Sequence, residues 1–233
     1  MSIEQARVRL VGVVRALWPL RAEGIERLRS PVQCAEFDRP DFLWHYLLAG
    51  FSTMGGVGGY AGLIGNPANY ARVAYAALAA LPADVRTAEV NEVCRAAGLR
   101  WPNRKAAFIR SAFDRIHALG GPEAARAQLV ARPDRASKIA WLTGFDGVSK
   151  KYARNLMMDV YHPEFRACIA IDARIKAITR ELGLSFRSYE AEEDFYLAVA
   201  ERAGRNGWEL DRLLFNCSAE VIDRLRAAAA QPD

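Results

Sequence analysis

A pair of adjacent lysines and a downstream aspartate are the residues of this sequence best suited to act together in a reaction. Lys150 and Lys151 stand at the start of a predicted helix, and Asp172 follows Lys151 by 21 residues at the end of an apolar run. A deprotonated lysine amine is a nucleophile, and a carboxylate stabilises positive charge or moves a proton. Together these residue types indicate covalent chemistry through an amine.

Lysine is scarce in this chain, so the adjacent pair needs an explanation. The 32 basic residues include lysine only at positions 105, 138, 150, 151 and 176. A cation in the first turn of a helix opposes the helix dipole. Either the amines contact phosphate, or Lys151 is a nucleophile whose neutral form is favoured by the dipole, the adjacent cation and partial burial. Arginine could fill the first role but not the second, because it stays protonated.

Asp172 also has two interpretations. As the residue that opens a predicted helix, it is an ordinary N-cap. The interval from Lys151 leaves room for one helix, a loop at His162-Pro163 and a returning apolar run. That arrangement would let both side chains face one cleft, so a catalytic carboxylate is the second interpretation.

The segment around the lysines predicts a helix–hairpin–helix over residues 142–160. One helix ends near Leu142, glycines follow at 144 and 147, and a second helix opens around Ser149. The first N–H groups of a helix have no partner within it and lie at its positive end. Such a turn suits a phosphate and contacts the DNA backbone without carrying sequence information.

Apolar residues recur at helical spacing almost throughout the chain, and the best candidate for a strand is only Ala167–Ile171. This periodicity predicts an all-α protein of two helical lobes with a cleft between them. We place one lobe at about residues 40–165 and the other at 1–39 plus 166–233. The predicted helices span 3–18, 41–53, 67–81, 87–97, 103–119, 122–131, 134–143, 148–160, 172–183, 189–203, 208–216 and 218–230, with caps at Thr87, Ser188 and Ser218.

The glycine-rich stretch Gly55-Gly-Val-Gly-Gly-Tyr-Ala61 has the spacing of a dinucleotide-binding fingerprint. That fingerprint requires a preceding strand and an acidic residue further on. Here the preceding segment is predicted helical and residues 74–81 hold no acid. A tight packing turn, or a close approach of the backbone to DNA, is the favoured interpretation.

The hairpin segment Gly147-Val-Ser-Lys-Lys-Tyr-Ala153 resembles the Gly-Val-Gly-x-Lys-x-Ala hairpin of the helix–hairpin–helix DNA glycosylase superfamily, which includes endonuclease III and the 8-oxoguanine glycosylases. In that family a Val-Asp pair follows the hairpin at a similar interval, as Ile171-Asp172 does here. Residues 96–109 resemble the family's Gly-x-x-x-x-Lys-Ala-x-x-Ile helix, and 42–63 take the place of the helix and loop that face the damaged strand. The resemblance covers roughly residues 40–185.

The resemblance implies a base-excision repair enzyme that binds double-stranded DNA as a monomer and removes a damaged base. Lys151 would be the amine of the bifunctional branch, which forms a Schiff base and also cleaves abasic sites, and Asp172 its essential carboxylate. Gly147, Ser149 and Lys150 would contact phosphate. An oxidised base, with 8-oxoguanine as the first guess, is the expected lesion, and the hairpin carbonyls could hold a cation.

Some features depart from the family pattern. Ser149 stands where the hairpin usually has its second glycine, and the family's polar, glutamine-containing segment is replaced by Gly50-Phe-Ser-Thr-Met-Gly-Gly. The four-cysteine cluster of endonuclease III is absent, which excludes an orthologue of that enzyme and an iron–sulfur cofactor. A non-catalytic helix–hairpin–helix module, a monofunctional glycosylase and an unrelated helical protein remain as alternatives.

Composition limits the classes to consider. The chain has 233 residues, a net charge of +5 and 52% hydrophobic residues. These values are typical of a globular protein, and the mild basicity permits a nucleic-acid partner. The cysteines at 34, 94, 168 and 217 form no metal-binding spacing.

The uncharged stretch 42–71 has an apolar run too short to cross a membrane, and the start lacks a signal-peptide pattern. We therefore expect an intracellular protein, cytoplasmic and nucleoid-associated if bacterial.

Overall fold

A computed structural model describes residues 1–29, 35–56 and 58–230, and these residues form helices and turns without a strand. The prediction of an all-α fold is therefore confirmed. The chain divides into two compact units, which we call the hairpin unit (36–156) and the terminal unit (1–35 with 157–233). The division falls inside the helix that begins at Lys150.

The hairpin unit is built around an apolar helix, α2 (Phe42–Thr53), that carries no charged residue. Helix α2 packs against α3 (Gly58–Leu63), α7 (Pro102–Ala118) and α8 (Pro122–Val130), and α6 (Ala83–Ala96) packs against α7. Large aromatic side chains of α2 fill the core, among them Phe42, Trp44 and Phe51. Its helices are α2 (Phe42–Thr53), α3 (Gly58–Leu63), α4 (Pro67–Arg72), α5 (Tyr75–Ala79), α6 (Ala83–Ala96), α7 (Pro102–Ala118), α8 (Pro122–Val130), α9 (Arg135–Thr143) and the start of α10 (Lys150–Asp159). A short 3₁₀ turn, Glu36–Asp38, precedes α2.

The terminal unit is organised by α1 (Ile3–Arg27), a long helix with a Ser2 capping box. One face of α1 is buried through Leu10, Val14 and Leu17. Helix α1 packs against α12 (Tyr189–Arg202), α13 (Gly207–Asn216) and α14 (Ser218–Ala230), while α11 (Ala173–Glu181) packs against α13 and α14. The other elements are the 3₁₀ turn Pro163–Phe165, α11 (Ala173–Glu181), α12 (Tyr189–Arg202), α13 (Gly207–Asn216) and α14 (Ser218–Ala230).

One predicted helix is two helices in the structure. The segment 67–81 is interrupted between α4 and α5, where Ala74 has an extended backbone (ψ 140°). The carbonyl of Val73 accepts a hydrogen bond from the indole Nε1 of buried Trp44 at 2.9 Å. A buried tryptophan N–H needs an acceptor, and the Val73 carbonyl at the interruption provides it. The periodicity of the sequence could not show this tertiary contact.

The predicted caps have different outcomes. Ser188 caps α12, since its side chain accepts a hydrogen bond from the backbone N–H of Ala191. The cap at Thr87 is wrong, because α6 already begins at Ala83 and the Thr87 hydroxyl donates to the Ala83 carbonyl inside the helix. Ser218 is the first residue of α14.

The glycine-rich stretch follows a helix and not a strand, and part of it forms α3. A Cβ atom on Gly59 would lie 2.4 Å from the Ser52 carbonyl oxygen, and one on Gly62 would lie 2.0 Å from that of Ala97. Glycine is therefore required by close backbone packing of α3, in agreement with the packing interpretation. Val57 lies outside the described residues.

Helix length and hydropathy give no membrane span: within the described residues, no helix is long and apolar enough to cross a bilayer.

Lys105, near the start of α7, is buried with only 1% of its surface exposed. Its Nζ donates to the carbonyl of Ser52 at 3.2 Å, so the ammonium lies near the negative C-terminal end of α2. Burial is the main influence on this side chain and lowers the pKa of Lys105 from its ordinary value of 10.5.

Lys105 should give the protein a measurable pH dependence. Between its lowered pKa and 10.5 the unfolded chain binds more protons at this site than the folded one, so the free energy of unfolding rises with pH there. We expect the difference in unfolding free energy between wild type and Lys105→Met to shift in favour of wild type as the pH rises through that interval. Urea unfolding of both proteins at several alkaline pH values measures it, and a pH-independent difference would contradict the lowered pKa.

Candidate active site

Two helices flank a short turn at the predicted place, and the turn is closed by local hydrogen bonds. Helix α9 ends at Thr143, and the backbone N–H groups of Phe145 and Val148 donate to the carbonyls of Leu142 and Phe145, both at 3.0 Å. At the end of α9, Arg115 donates from Nη2 to the Trp141 carbonyl at 3.2 Å. These bonds satisfy carbonyls that a helix end would otherwise leave without partners.

Gly147 is the residue on which the turn depends. Its φ is +82°, a left-handed conformation that side chains disfavour. A Cβ atom at this position would also lie 2.6 Å from Cδ2 of Phe108 on α7. Phe108 in turn packs against Phe51 of α2, with ring centroids 5.7 Å apart. The turn is thus packed directly on the core of the hairpin unit.

Ser149, where the family has glycine, caps the second helix. Its Oγ accepts from the backbone N–H of Tyr152 at 3.2 Å, and its carbonyl accepts from Ala153. One of the N–H groups that could bind a phosphate is therefore already used within the protein. The helix begins at Lys150, as predicted to within a residue.

The five lysines differ in their accessibility. Lys105 and Lys138 are buried, and their amines donate to the carbonyls of Ser52 and Arg132. Lys150 is exposed, whereas Lys151 is half-buried in the first turn of α10. In the part of the chain that the structure describes, Lys151 Nζ forms no hydrogen bond or ion pair, and it lies 5.8 Å from the centroid of the Tyr152 ring.

Tyr152 connects the lysine helix to α2. The space that a Cβ atom of Gly50 would need is occupied by the Tyr152 side chain, whose hydroxyl oxygen would lie 0.7 Å away. Gly50 belongs to the segment that replaces the family's polar, glutamine-containing one. The contact therefore places the last turn of α2 beside the first turn of α10.

Asp172 lies in the terminal unit and is the N-cap of α11. Its Oδ1 accepts from the backbone N–H groups of Arg174 at 2.9 Å and Ile175 at 3.0 Å. The N-cap interpretation of Asp172 is thus confirmed. Oδ2 accepts no hydrogen bond among the described residues, so the carboxylate retains an oxygen that could act on a ligand.

Residues 168–171, the apolar run that leads to Asp172, are buried and belong to neither a helix nor a strand. The backbone N–H groups of residues 169–171 are bound by side chains of α12 and α13, which sequence analysis did not identify as functional. The acceptors are the hydroxyl of Tyr189 and the carboxylates of Glu193 and Asp211. One feature of the sequence could have indicated such a role: Asp211 is an acidic residue next to Leu210 and three residues before Leu214, on an otherwise apolar face of its helix.

The structure brings together one part of the predicted site. Gly147, Ser149, Lys150 and Lys151 form a single turn and helix start within the hairpin unit. Asp172 belongs to the other unit, so its pairing with Lys151 remains a prediction. Among described residues no group of three or more histidine, cysteine, aspartate or glutamate side chains could hold a metal ion. The side chains of Cys94 and Cys168 are buried and that of Cys217 is half-buried, and Cys34 lies outside the described residues.

Comparison with known proteins identifies no relative: no protein-family model matches this chain, and no curated protein or solved structure matches it significantly.

Replacements of Asp172 should distinguish the stability that its capping hydrogen bonds provide from any effect of its negative charge. Asp172→Ala removes the acceptor for two backbone N–H groups and should lower the free energy of unfolding by about 1 kcal/mol, whereas Asp172→Asn keeps a capping oxygen and should change it by only a few tenths. Urea unfolding followed by far-UV circular dichroism measures both. An asparagine variant as unstable as the alanine variant would show that the negative charge, not the cap, stabilises α11.

Proposed function

We propose that this protein is a DNA glycosylase with AP lyase activity, which excises a damaged base from double-stranded DNA through a lysine Schiff base. The observation that carries the proposal is the position of Lys151. Lys151 is half-buried and follows the Gly147 turn by four residues, and its amine has no hydrogen-bond or ion-pair partner among the described residues. A lysine so placed is accessible to a substrate whose phosphate binds at the turn.

DNA contact at the hairpin would use its backbone and one side chain. The positive end of α10 favours a phosphate, and exposed Lys150 adds a cation beside it. Because Ser149 already accepts from the Tyr152 N–H, fewer backbone donors remain than in a two-glycine hairpin. We therefore expect Lys150 to provide a larger share of phosphate affinity, and hairpin carbonyls could additionally hold a cation.

The proposed reaction begins when the lone pair of Lys151 Nζ forms a bond to C1′ of the flipped nucleotide. The bond from C1′ to the base breaks, and the base leaves with that electron pair and takes up a proton. The lone pair of Nζ then expels O4′ from C1′, O4′ takes up a proton from solvent, and the open sugar carries a protonated Schiff base between Nζ and C1′. Loss of a C2′ proton then expels the 3′ phosphate, and water releases Lys151.

Asp172 would act through its charge. Positive charge develops on the sugar as the base departs, and a nearby carboxylate stabilises it. The Asp172 Oδ2 oxygen is available for this, since both cap bonds use Oδ1. An oxidised base, with 8-oxoguanine first, is the proposed lesion. A non-catalytic DNA-binding module and a monofunctional glycosylase are the outcomes that the following tests would reveal instead.

Borohydride trapping tests the amine directly. We expect wild type to form a covalent adduct with duplexes that carry an abasic site and with at least one duplex carrying 8-oxoguanine, thymine glycol or uracil, because borohydride reduces a Schiff base. Lys151→Ala should abolish the adduct while DNA binding is retained. Lys150→Ala should still form the adduct at saturating protein. It should weaken DNA binding, and the salt dependence of the binding constant should fall by the amount expected for about one lost phosphate contact.

Lys176→Ala is the matched control, since it removes an exposed amine of α11 that has no role in the proposed reaction. An adduct that persists in Lys151→Ala but is lost in Lys150→Ala would assign the amine to Lys150. Binding without any adduct in wild type would reject the lyase and favour a monofunctional enzyme or a binding module.

Asp172→Asn should lower the single-turnover excision rate by about a hundredfold, in the range found for removal of a catalytic charge or proton donor. The fold should be retained because asparagine also caps a helix. Quench kinetics on the best lesion duplex, at saturating protein, measures the rate. Wild-type rates in Asp172→Asn would show that Asp172 serves only as the cap of α11.

A further inference from the structure

Three carboxylates among the described residues are buried in the core of the terminal unit, which is an expensive place for charge, and two of them contact the segment before Asp172. Glu193 on α12 has 5% of its surface exposed and Asp211 on α13 has 1%. Neither residue belongs to the site derived above. Buried acids persist where they accept hydrogen bonds that no other group supplies.

Both carboxylates accept hydrogen bonds from the backbone of the segment that precedes Asp172. Glu193 Oε1 accepts from the backbone N–H of Ile169 at 3.0 Å, and Asp211 Oδ1 accepts from that of Ala170 at 2.7 Å. The Tyr189 hydroxyl accepts from the Ile171 N–H at 2.9 Å and donates to the Ile169 carbonyl at 2.8 Å. Three consecutive backbone positions are thus held by three side chains.

Packing restricts the same segment from another side. A Cβ atom on Gly207 would lie 2.8 Å from both the N and O atoms of Cys168. The backbone N–H of Trp208 donates to the Arg166 carbonyl at 2.8 Å. The start of α13 therefore lies directly against this segment and limits its movement.

Asp172 is the next residue after this run, so its position depends on these bonds. We propose that Glu193 and Asp211 are positioning residues for the carboxylate of Asp172 in the excision reaction. This inference rests on the proposed function. The acids act on the backbone of residues 169 and 170 and do not touch the substrate. A shift of about 1 Å in a catalytic group can cost on the order of a hundredfold in rate, so loss of either acceptor should be visible in kinetics.

The test compares matched variants in single-turnover trapping on a duplex with an abasic site, at saturating protein. Asp211→Ala and Glu193→Ala remove an acceptor, whereas Asp211→Asn and Glu193→Gln keep an oxygen in the same place. Glu192→Ala is the control, because Glu192 is also a buried carboxylate on α12 but accepts from the Thr179 hydroxyl at 2.6 Å, not from the run. DNA affinity and urea unfolding are measured for each protein.

We expect Asp211→Ala and Glu193→Ala to trap about ten- to a hundredfold more slowly than wild type with unchanged DNA affinity. The asparagine and glutamine variants should recover most of the trapping rate. Glu192→Ala should trap at a rate near that of wild type, even if its free energy of unfolding falls as far as that of Asp211→Ala or Glu193→Ala. Hydrogen exchange at the N–H groups of residues 169–171 should accelerate in the alanine variants.

Two outcomes would overturn the inference in distinguishable ways. If wild type traps but the alanine variants of Asp211 and Glu193 lose no more rate than Glu192→Ala, the acids are structural only and the proposed function stands. If wild type forms no adduct, the lyase itself is rejected, and the positioning role is rejected with it.

Discussion

The backbone N–H groups of residues 169–171 impose the constraint on which the terminal unit is built. Buried N–H groups are costly unless an acceptor is present, and in a sheet a neighbouring strand would supply it. In this unit the acceptors are side chains from two helices, Tyr189, Glu193 and Asp211. The same bonds explain why carboxylates lie in a helical core and why the start of α11 has a defined position.

The hairpin meets a related constraint on a smaller scale. The turn needs a left-handed residue with no side chain, which Gly147 provides against Phe108. The helix start needs an acceptor for its N–H groups, and Ser149 provides one. A serine in place of a second glycine thus gains a cap and gives up a donor that a phosphate could have used. Under the proposed function, DNA affinity shifts from the backbone toward Lys150.

Accessibility distinguishes the lysines better than a perturbed pKa does. Burial lowers the pKa of Lys105, which would favour a neutral amine. That amine nevertheless lies in the core and donates to the Ser52 carbonyl, so no substrate can reach it. A nucleophile must be both deprotonated and exposed to its electrophile. Lys151, half-buried beside Tyr152, satisfies the requirement of access that Lys105 fails.

The sequence by itself determined the features that depend on near neighbours: the all-α class, the glycine turn, the helix start near Ser149 and the capping position of Asp172. These involve hydrogen bonds across two to four residues, so adjacent residue types encode them. Only the tertiary structure decided the acceptors of the run before Asp172, which lie 18, 24 and 41 residues away along the chain. It also decided the contact of Tyr152 with Gly50. Such pairings arise from the packing of whole helices, whose relative positions no local pattern specifies.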